Sequence, residues 1–444
     1  MHTAASGVIF GLNPLWLATV VMIVTYGVII SERLNRSIIA LLGAMLMIMF
    51  GLLTQEQAVA GVDFNTIGLL VGMMVIVSIT RKSGVFEYLA IWSAKLVKAN
   101  PAGILAMLAV VTAVVSALLD NVTTVLLVVP VTLVITEALK VNPYPFLFSQ
   151  ILASNIGGTA TLIGDPPNIL IGGQVGLSFN DFVIHLSPVI VVILIVHVIS
   201  IHLIWGRSMA STAELRARVM AFDESEAITD SRLLKRASLV LALVIVAFVM
   251  ARSLGLESGT IGMAGAALLL MLDNLGKSAE HQSENVVKVY NEIEWITIFF
   301  FVGLFIVIAG VEHAGLLRLL ADQLLAATGG DFKVTGYSIL WSSAVLSAIV
   351  DNIPFVATMI PLIKSMAPAF GGADALMPLW WCLSLGACLG GNGTLIGASA
   401  NLTVAGIAER NGIPFRFIEY TRIAFPLMLI HVAICNVYVW WRYF

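Results

Sequence analysis

Apolar runs of spanning length recur along this chain, beginning near Leu15, Ser37, Thr66, Val183, Ala237, Gly259, Trp295 and Ile423. A helix needs roughly 20 apolar residues to cross about 30 Å of hydrocarbon, so each run predicts a membrane span. Four other apolar stretches carry polar interruptions. Two hold an Asp-Asn pair, SALLDNVTTVLLVVP at Ser116–Pro130 and SAIVDNIPFVATMIP at Ser347–Pro361. Two hold glycine-rich loops, NIGGTATLIGDPPN at Asn155–Asn168 and CLGGNGTLIGASAN at Cys388–Asn401.

These interruptions match in pairs. Asp120-Asn121 and Asp351-Asn352 lie 231 residues apart, and the same spacing pairs Asp63 with Glu294, Thr66 with Thr297, Gly72 with Gly303 and Gly84 with Gly315. The loops realign at 233, pairing Gly157 with Gly390, Gly158 with Gly391, Thr161 with Thr394, Gly164 with Gly397 and Asn168 with Asn401. The chain is an internal duplication.

Basic residues set how the two copies sit. If the polar segments 31–36, 81–100, 139–146, 207–236, 276–293 and 408–422 all face the cytoplasm, they hold 18 of the 23 Lys and Arg, leaving Arg252, Arg318, Lys333, Lys364 and Arg442 outside. That positive-inside bias holds only if the Asp-Asn elements enter and leave from one side, as re-entrant hairpins. The expected order is spans at 14–30, 37–53 and 65–80, a cytoplasmic hairpin at 101–138, a broken helix at 144–176 and a span at 183–206. A cytoplasmic linker at 207–236 follows. Then come spans at 237–253, 259–275 and 294–311, an outer hairpin at 335–368, a broken helix at 376–408 and a last span at 420–441.

The expected fold class is an all-α polytopic membrane protein with about ten transmembrane helices, two re-entrant hairpins and two broken helices. Residues 1–206 form the first repeat and 237–444 the second. The partner at 294–311 is the fifth crossing after the span at 65–80, and an odd step inverts the second copy. Inverted repeats of this kind place a substrate near the bilayer midplane, between interrupted helices whose freed N–H and C=O groups serve as ligands.

Composition agrees. With 59% hydrophobic residues, 11% charged residues and a mean hydropathy of +1.00, a soluble domain is excluded. The first apolar run has no basic residue before it and no cleavage site, so it reads as a retained helix in a bacterial inner membrane. Cys382, Cys388 and Cys435 have no metal-ligand spacing, so no disulfide framework, metal or cofactor is expected. The linker, with six basic and five acidic residues, reads as a solvated connection with a short amphipathic helix. Nothing points to nucleic acid.

Asn, Ser, Thr and Gly in membrane helices often serve packing alone. A carboxylate within the membrane costs roughly 3 kcal/mol even on the lenient insertion scale, which marks Asp120 and Asp351 as functional. Asp165, whose partner is Ala398, either binds a coupling ion or caps a half-helix. His185, His197, His202 and His431 fit packing or interface roles. Gly276-Lys277-Ser278 lacks the earlier glycine of a phosphate-binding loop, that position being Met271, so no nucleotide site is present. An aspartyl protease dyad is disfavoured because Asn, not Gly, follows each aspartate.

DNVTTVLLVVPVT, NIGGTATLIGDPPN, DNIPFVATMIP and GACLGGNGTLIGASANLTVAGIAER resemble the ion transporter superfamily. Within it, the chain is similar to the group joining arsenite/antimonite efflux permeases, a class of sodium/proton antiporters and the P protein, the last block most closely to the P protein branch. The resemblance covers nearly the whole chain. It implies an elevator-type secondary transporter, not an enzyme, whose substrate is held by Asn121, Thr123, Asn155, Gly157, Gly158, Thr159, Thr161, Asn352, Gly390, Gly391, Asn392 and Thr394. Asp120 and Asp351 are the expected proton-coupling residues, with Asp165 a further candidate for ion coupling. It further implies a homodimer in the lipid bilayer and leaves room for a cytoplasmic ATPase subunit.

Relatives that carry dicarboxylates place a neutral Ser-Asn-Thr at the hairpin tips, where this sequence has Asp, and a carboxylate repels an anion unless protonated. The resulting expectation is export of arsenite and antimonite in exchange for protons. Sodium/proton antiport is the close alternative, and an organic anion carrier of the P protein type a further one. The thiol of Cys388, at the start of the second loop, suits trivalent arsenic.

Overall fold

The structure, a computed structural model, describes residue 8, residues 11–31 and residues 33–444. The first half holds α1 (Pro14–Ile30), α2 (Arg36–Met49), the short α3 (Gln55–Gly61), α4 (Phe64–Arg81) and α5 (Val85–Leu96). The helical hairpin α6 (Pro101–Leu118) and α7 (Asn121–Leu139) follows, then the broken helix α8 (Tyr144–Thr159) and α9 (Pro166–Val175). The short α10 (Phe179–His185) and the long α11 (Ser187–Ile204) close this half, and α12 (Ala213–Met220) lies in the linker.

The order then recurs. α13 (Ser231–Val249), the single-turn α14 (Ala251–Leu254), α15 (Ser258–Asn274) and the polar α16 (Ala279–Asn291) lead to α17 (Trp295–His313) and α18 (Leu316–Ala327). The second hairpin is α19 (Phe332–Ser347) and α20 (Asn352–Ser365), the second broken helix α21 (Met377–Gly390) and α22 (Ser399–Arg410), and α23 (Phe417–Tyr443) ends the chain. Six of these, α4, α6, α7, α11, α17 and α23, are each long and apolar enough to cross a membrane. Their outward faces are apolar: α11 exposes Val191, Val192, Ile195, Ile199 and Leu203 while burying His197. Lipid, not water, suits such a surface.

Local sequence explains where helices begin. Asn13, Asn35, Asn100 and Asp331 accept hydrogen bonds from the first backbone N–H groups of α1, α2, α6 and α19. Gly84 and Gly315, matched in the duplication, both turn the chain with φ of +78° and +88°, a region that favours glycine.

Packing crosses the two halves. α4 lies along α15 and α2 along α17. A Cβ on Gly72 would come 2.4 Å from the Gly262 carbonyl carbon, and one on Gly303 would come 2.5 Å from that of Ala40, so both contacts need a bare backbone. Within each half, α6 packs on α8 and α19 on α21, whereas α7 reaches across to α22 and α20 to α9. The hairpins and broken helices thereby form one interlocked unit beside the crossed pairs.

The linker is less free than its charge pattern suggests. Val219 of α12 is buried, the Lys95 ammonium pairs with Glu224 and donates to Phe222 O at 3.1 Å, and Thr229 N–H donates to Ser83 O at 3.1 Å. A Cβ on Gly84 would sit 1.7 Å from Ala227 O, so the linker lies directly on that turn.

Candidate functional site

The breaks between α8 and α9 and between α21 and α22 free backbone carbonyls, and matched side chains take them up. Asn168 Nδ2 donates to Thr159 O at 3.1 Å and Thr161 O at 2.9 Å; its repeat partner Asn401 donates to Gly391 O at 2.7 Å and Thr394 O at 2.8 Å. Thr161 and Thr394 hydroxyls donate to Ala117 O and Ala348 O, each three residues before a tip aspartate, at 2.6 and 2.5 Å. Ser116 and Ser347 return the favour to Ser154 O and Ala387 O, each at 2.6 Å. All of these groups but Ala117 are buried, where an unmade bond costs about 1–3 kcal/mol, so each tip is fastened to its own broken helix.

Between the tips lies an amide and carboxylate cluster. Asn121 Nδ2 donates to Asn155 Oδ1 at 2.9 Å and Asp165 Oδ1 at 3.2 Å, and Asn352 Nδ2 reaches the same Asp165 oxygen at 3.4 Å. Asn155 Nδ2 in turn donates to Asn392 and Asn401, both at 2.9 Å. Asp165, fully buried, therefore receives one amide from each hairpin tip, while its Oδ2 has no partner. Although it stands at the N-cap of α9, its side chain makes no capping bond. Of its two expected roles, the capping one is absent.

The tip aspartates do cap. Asp120 accepts from Thr123 N–H at 2.8 Å and Thr123 Oγ1 at 2.5 Å. Asp351 accepts from Ile353 N–H at 3.0 Å and is also ion-paired, with Arg36 Nη1 3.1 Å from its Oδ2. Arg36 further donates to Ser399 Oγ at 2.7 Å and Thr297 Oγ1 at 3.3 Å, and lies over the Phe300 ring at 5.0 Å. The Thr297 hydroxyl donates to Glu294 Oε2 at 3.0 Å.

A void of about 20 Å³ sits at the centre, lined by Asp120, Asn121, Asp165, Glu294, Thr297 and Asn352 among others. A cavity of about 520 Å³ with Asp63, Glu257, Glu312 and Lys364 on its wall opens on one side of the crossed helices. One of about 260 Å³, reaching Arg36 and Asp351, opens near the α1–α2 turn.

Of the sequence-predicted site residues, Asp120, Asn121, Asp165 and Asn352 line the void, with Asn155 and Asn392 behind them. Gly157, Gly158, Gly390 and Gly391 serve close approach: a Cβ on Gly157 would lie 2.0 Å from Ala113 O and one on Gly390 2.5 Å from Ala344 O. Thr123, Thr159, Thr161 and Thr394 spend their hydroxyls on the protein itself. Sequence reasoning did not single out Arg36, Glu294, Thr297 or Ser399. Glu294 and Thr297 carried a signal, being the repeat partners of Asp63 and Thr66; Arg36 carried none, because a charge before an apolar run reads as a loop charge.

Cys388 is buried beside this cluster, its Sγ 3.5 Å from Asn168 Oδ1, which also accepts from Ser384 Oγ at 2.6 Å. His197 and His431 are buried with ring centroids 6.1 Å apart, in packing positions away from the void. Among the described residues no cluster of three or more His, Cys, Asp or Glu is arranged to hold a metal ion.

A family model described as Citrate transporter matches residues 26–386. An uncharacterized transporter of Mycobacterium bovis is 41% identical over 96% of this chain and 98% of its own. The P protein of Homo sapiens is 31% identical over 95% of this chain, which spans 59% of that longer relative. The crystal structure of the Alcanivorax borkumensis YdaH transporter, described as having an unusual topology, superposes with a TM-score of 0.60 over 96% of this chain and 98% of its own; at 12% identity the likeness is one of fold.

Proposed function

The chain belongs to the citrate transporter family, and from that premise we propose that this plasma-membrane transporter is a secondary antiporter exchanging protons for sodium ions at Asp165. The observation that carries this reading is the unpartnered Asp165 Oδ2 beside a void of about 20 Å³. Such a void has room for about one water-sized particle. Three carboxylates, Asp120, Asp165 and Glu294, line it, and its one guanidinium is already paired to Asp351.

Electrostatics then separates the cargo classes. At an effective dielectric of about 20, a unit charge 4 Å from a carboxylate gains or loses about 4 kcal/mol. A citrate-like anion meets that repulsion from several carboxylates together, whereas a proton or sodium ion gains from it. One buried carboxylate serving two cations by turns gives obligatory exchange. In this reading the two hairpins and two broken helices move as a unit against α1, α2, α4, α13, α15 and α17. Residues 1–206 and 237–444 are then the repeats, 207–236 the linker, and a homodimer the fixed frame.

A second reading, export of arsenite and antimonite in exchange for protons, is favoured by the Cys388 thiol at the base of the site. Neutral arsenous acid would need the tips to open beyond the present void.

The test is proton flux in proteoliposomes of the purified protein under an imposed pH gradient, with sodium and then arsenite or antimonite added. Collapse of the gradient by sodium, lost in Asp165→Asn, supports the first reading. Collapse by the metalloids alone overturns it in favour of the second.

A further inference from the structure

The two hairpin tips are equivalent in sequence and unlike in charge. At the first, Asp120 receives both capping bonds from Thr123, and the nearest charged side chains lining the void with it are Asp165, Glu294 and the already paired Arg36. At the second, Asp351 Oδ2 is held by Arg36 at 3.1 Å and by Ser399 Oγ at 3.2 Å, while its Oδ1 takes the Ile353 N–H at 3.0 Å. Arg36 does not belong to the hairpin it serves. It sits in the first turn of α2, one of the crossed helices, and its other bonds run to Thr297 of α17 and Ser399 of α22.

The crossed pairs identify the matching position in the other half. α2 meets α17 where Ala40 faces Gly303, and α15 meets α4 where Gly262 faces Gly72. One turn before Ala40 stands Arg36; one turn before Gly262 stands Ser258. The duplication thus carries an arginine on one side and a serine on the other. A guanidinium remains charged at any physiological pH, so the charge it brings to Asp351 is permanent.

We propose that Arg36 is a built-in counter-cation that occupies the second hairpin tip and leaves the carrier with one exchange site where its duplicated sequence provides the frame for two. This deepens the sodium/proton reading and rests on it for what is exchanged. Arg36 acts through Asp351 and is a positioning and specificity residue. Removing its charge frees Asp351 to carry a proton on the leg on which Asp165 carries one and to return empty on the sodium leg, so each cycle exchanges two protons for one sodium ion and the charge moved per cycle rises by one.

Two measurements test this, and the first is independent of cargo. A hydrophobic carbodiimide adds to protonated carboxyls, and the opening of about 260 Å³ lined by Ile30, Leu34, Arg36, Asp351, Ser399 and Leu402 admits it. Peptide mapping by mass spectrometry is expected to find Asp351 unmodified in the wild type and in Arg36→Lys, and modified at least tenfold more in Arg36→Gln. Equal modification of Asp351 in the wild type and Arg36→Gln overturns the proposal. The second is the reversal point of sodium-coupled proton flux, the opposing gradient at which net flux vanishes. Arg36→Gln shifts it by one added charge per cycle, and the double variant Arg36→Gln/Asp351→Asn, which replaces the ion pair by two amides, returns it to the wild-type value. A double variant whose reversal point stays displaced, or an Arg36→Gln variant with none, also overturns the proposal. Should the wild type move no sodium, the exchange reading fails by itself and the labelling pattern still decides the role of Arg36.

Discussion

Gly173 and Gly406 occupy matched places in the two broken helices, yet only one of them is in contact with the crossed helices. A Cβ on Gly173 would lie 2.4 Å from Thr66 Oγ1 and 2.5 Å from Asp63 Oδ2, whereas a Cβ on Gly406 would meet nothing within 4 Å. Their opposite numbers, Thr297 and Glu294, instead face Arg36 and the start of α22 at Ser399. The interlocked unit therefore meets the crossed helices differently at the two matched places. If the two halves exchange environments during transport, Gly406 comes against Thr297 and Glu294 in the opposite state. Gly406→Leu is then expected to fold normally but to slow exchange at least tenfold. Gly173→Ala crowds the present state by about 1–3 kcal/mol and shifts the balance toward the other by about 5- to 150-fold. Alkylation of a cysteine placed at Gln174, beside Gly173 on the cavity wall, reads that balance in the Gly173→Ala background. Unchanged reactivity there, with full activity in Gly406→Leu, is the outcome against this alternation.

Asp165 and Asp120 separate under conservative substitution. Asp165→Asn keeps an acceptor for both incoming amides and removes only the charge beside the void, so thermal stability is expected to change little. Proton coupling falls at least a hundredfold and the pH dependence of residual flux disappears. Asp120→Asn keeps a good helix cap and costs a few tenths of a kcal/mol, while Asp120→Ala costs about 1 kcal/mol. Thermal unfolding in detergent and flux in proteoliposomes check both. A larger coupling loss in Asp120→Asn than in Asp165→Asn would move the exchange site to the tip.

Much of the fold was legible because the duplication supplied two independent copies of each signal. The Asp-Asn pairs sit at helix N-caps and the glycine loops at helix breaks, as their residue types demand. The span at 37–53 ends earlier, α2 stopping at Met49, because Gly51 takes φ of +73°. The site was less legible. A matched Thr or Gly has the same sequence signature whether it lines a void, ties down a carbonyl as Thr161 and Thr394 do, or allows close backbone approach as Gly157 and Gly390 do. Arg36 was hidden because its partner Asp351 is 315 residues away, a relation no local pattern encodes.

Asn168 and Asn401 hold the broken helices open. Each Nδ2 donates to two buried carbonyls at a helix break; Thr394 O also takes the Gly397 N–H at 3.4 Å, and each carbonyl left unpaired costs about 1–3 kcal/mol. Asn168→Ala is expected to destabilise the protein by about 2–6 kcal/mol, and Asn401→Ala, which leaves Thr394 O its Gly397 partner, by about 1–3 kcal/mol. Asn168→Asp, which has no N–H to give, should be nearly as damaging. Thermal melts of the purified variants check this; a loss under 1 kcal/mol in both alanine variants would mean that water replaces the amide without penalty.

The linker clasp is insensitive to pH across the working range, and the sign follows from its carboxylate. Lys95 holds the Glu224 carboxyl below its ordinary value of 4.5, by hydrogen bonding before charge. A carboxylate whose folded-state value is depressed contributes stability that is present above the unfolded value and is lost as pH falls through the folded one. Between pH 6 and 8 Glu224 is ionised in both states, so the clasp neither tightens nor loosens there. Glu224 is partly exposed, and solvent screens such a pair, so the clasp depends equally on the Lys95 bond to Phe222 O and the Thr229 bond to Ser83 O. Tryptic cleavage after Arg216 and Arg218 is expected to be equally slow at pH 6 and pH 8 once corrected for the protease's own activity. Lys95→Ala, which removes both the ion pair and the bond to Phe222, is expected to speed it severalfold at either pH. Faster cleavage of the wild type at pH 6 would place a titrating group other than Glu224 in control of the linker.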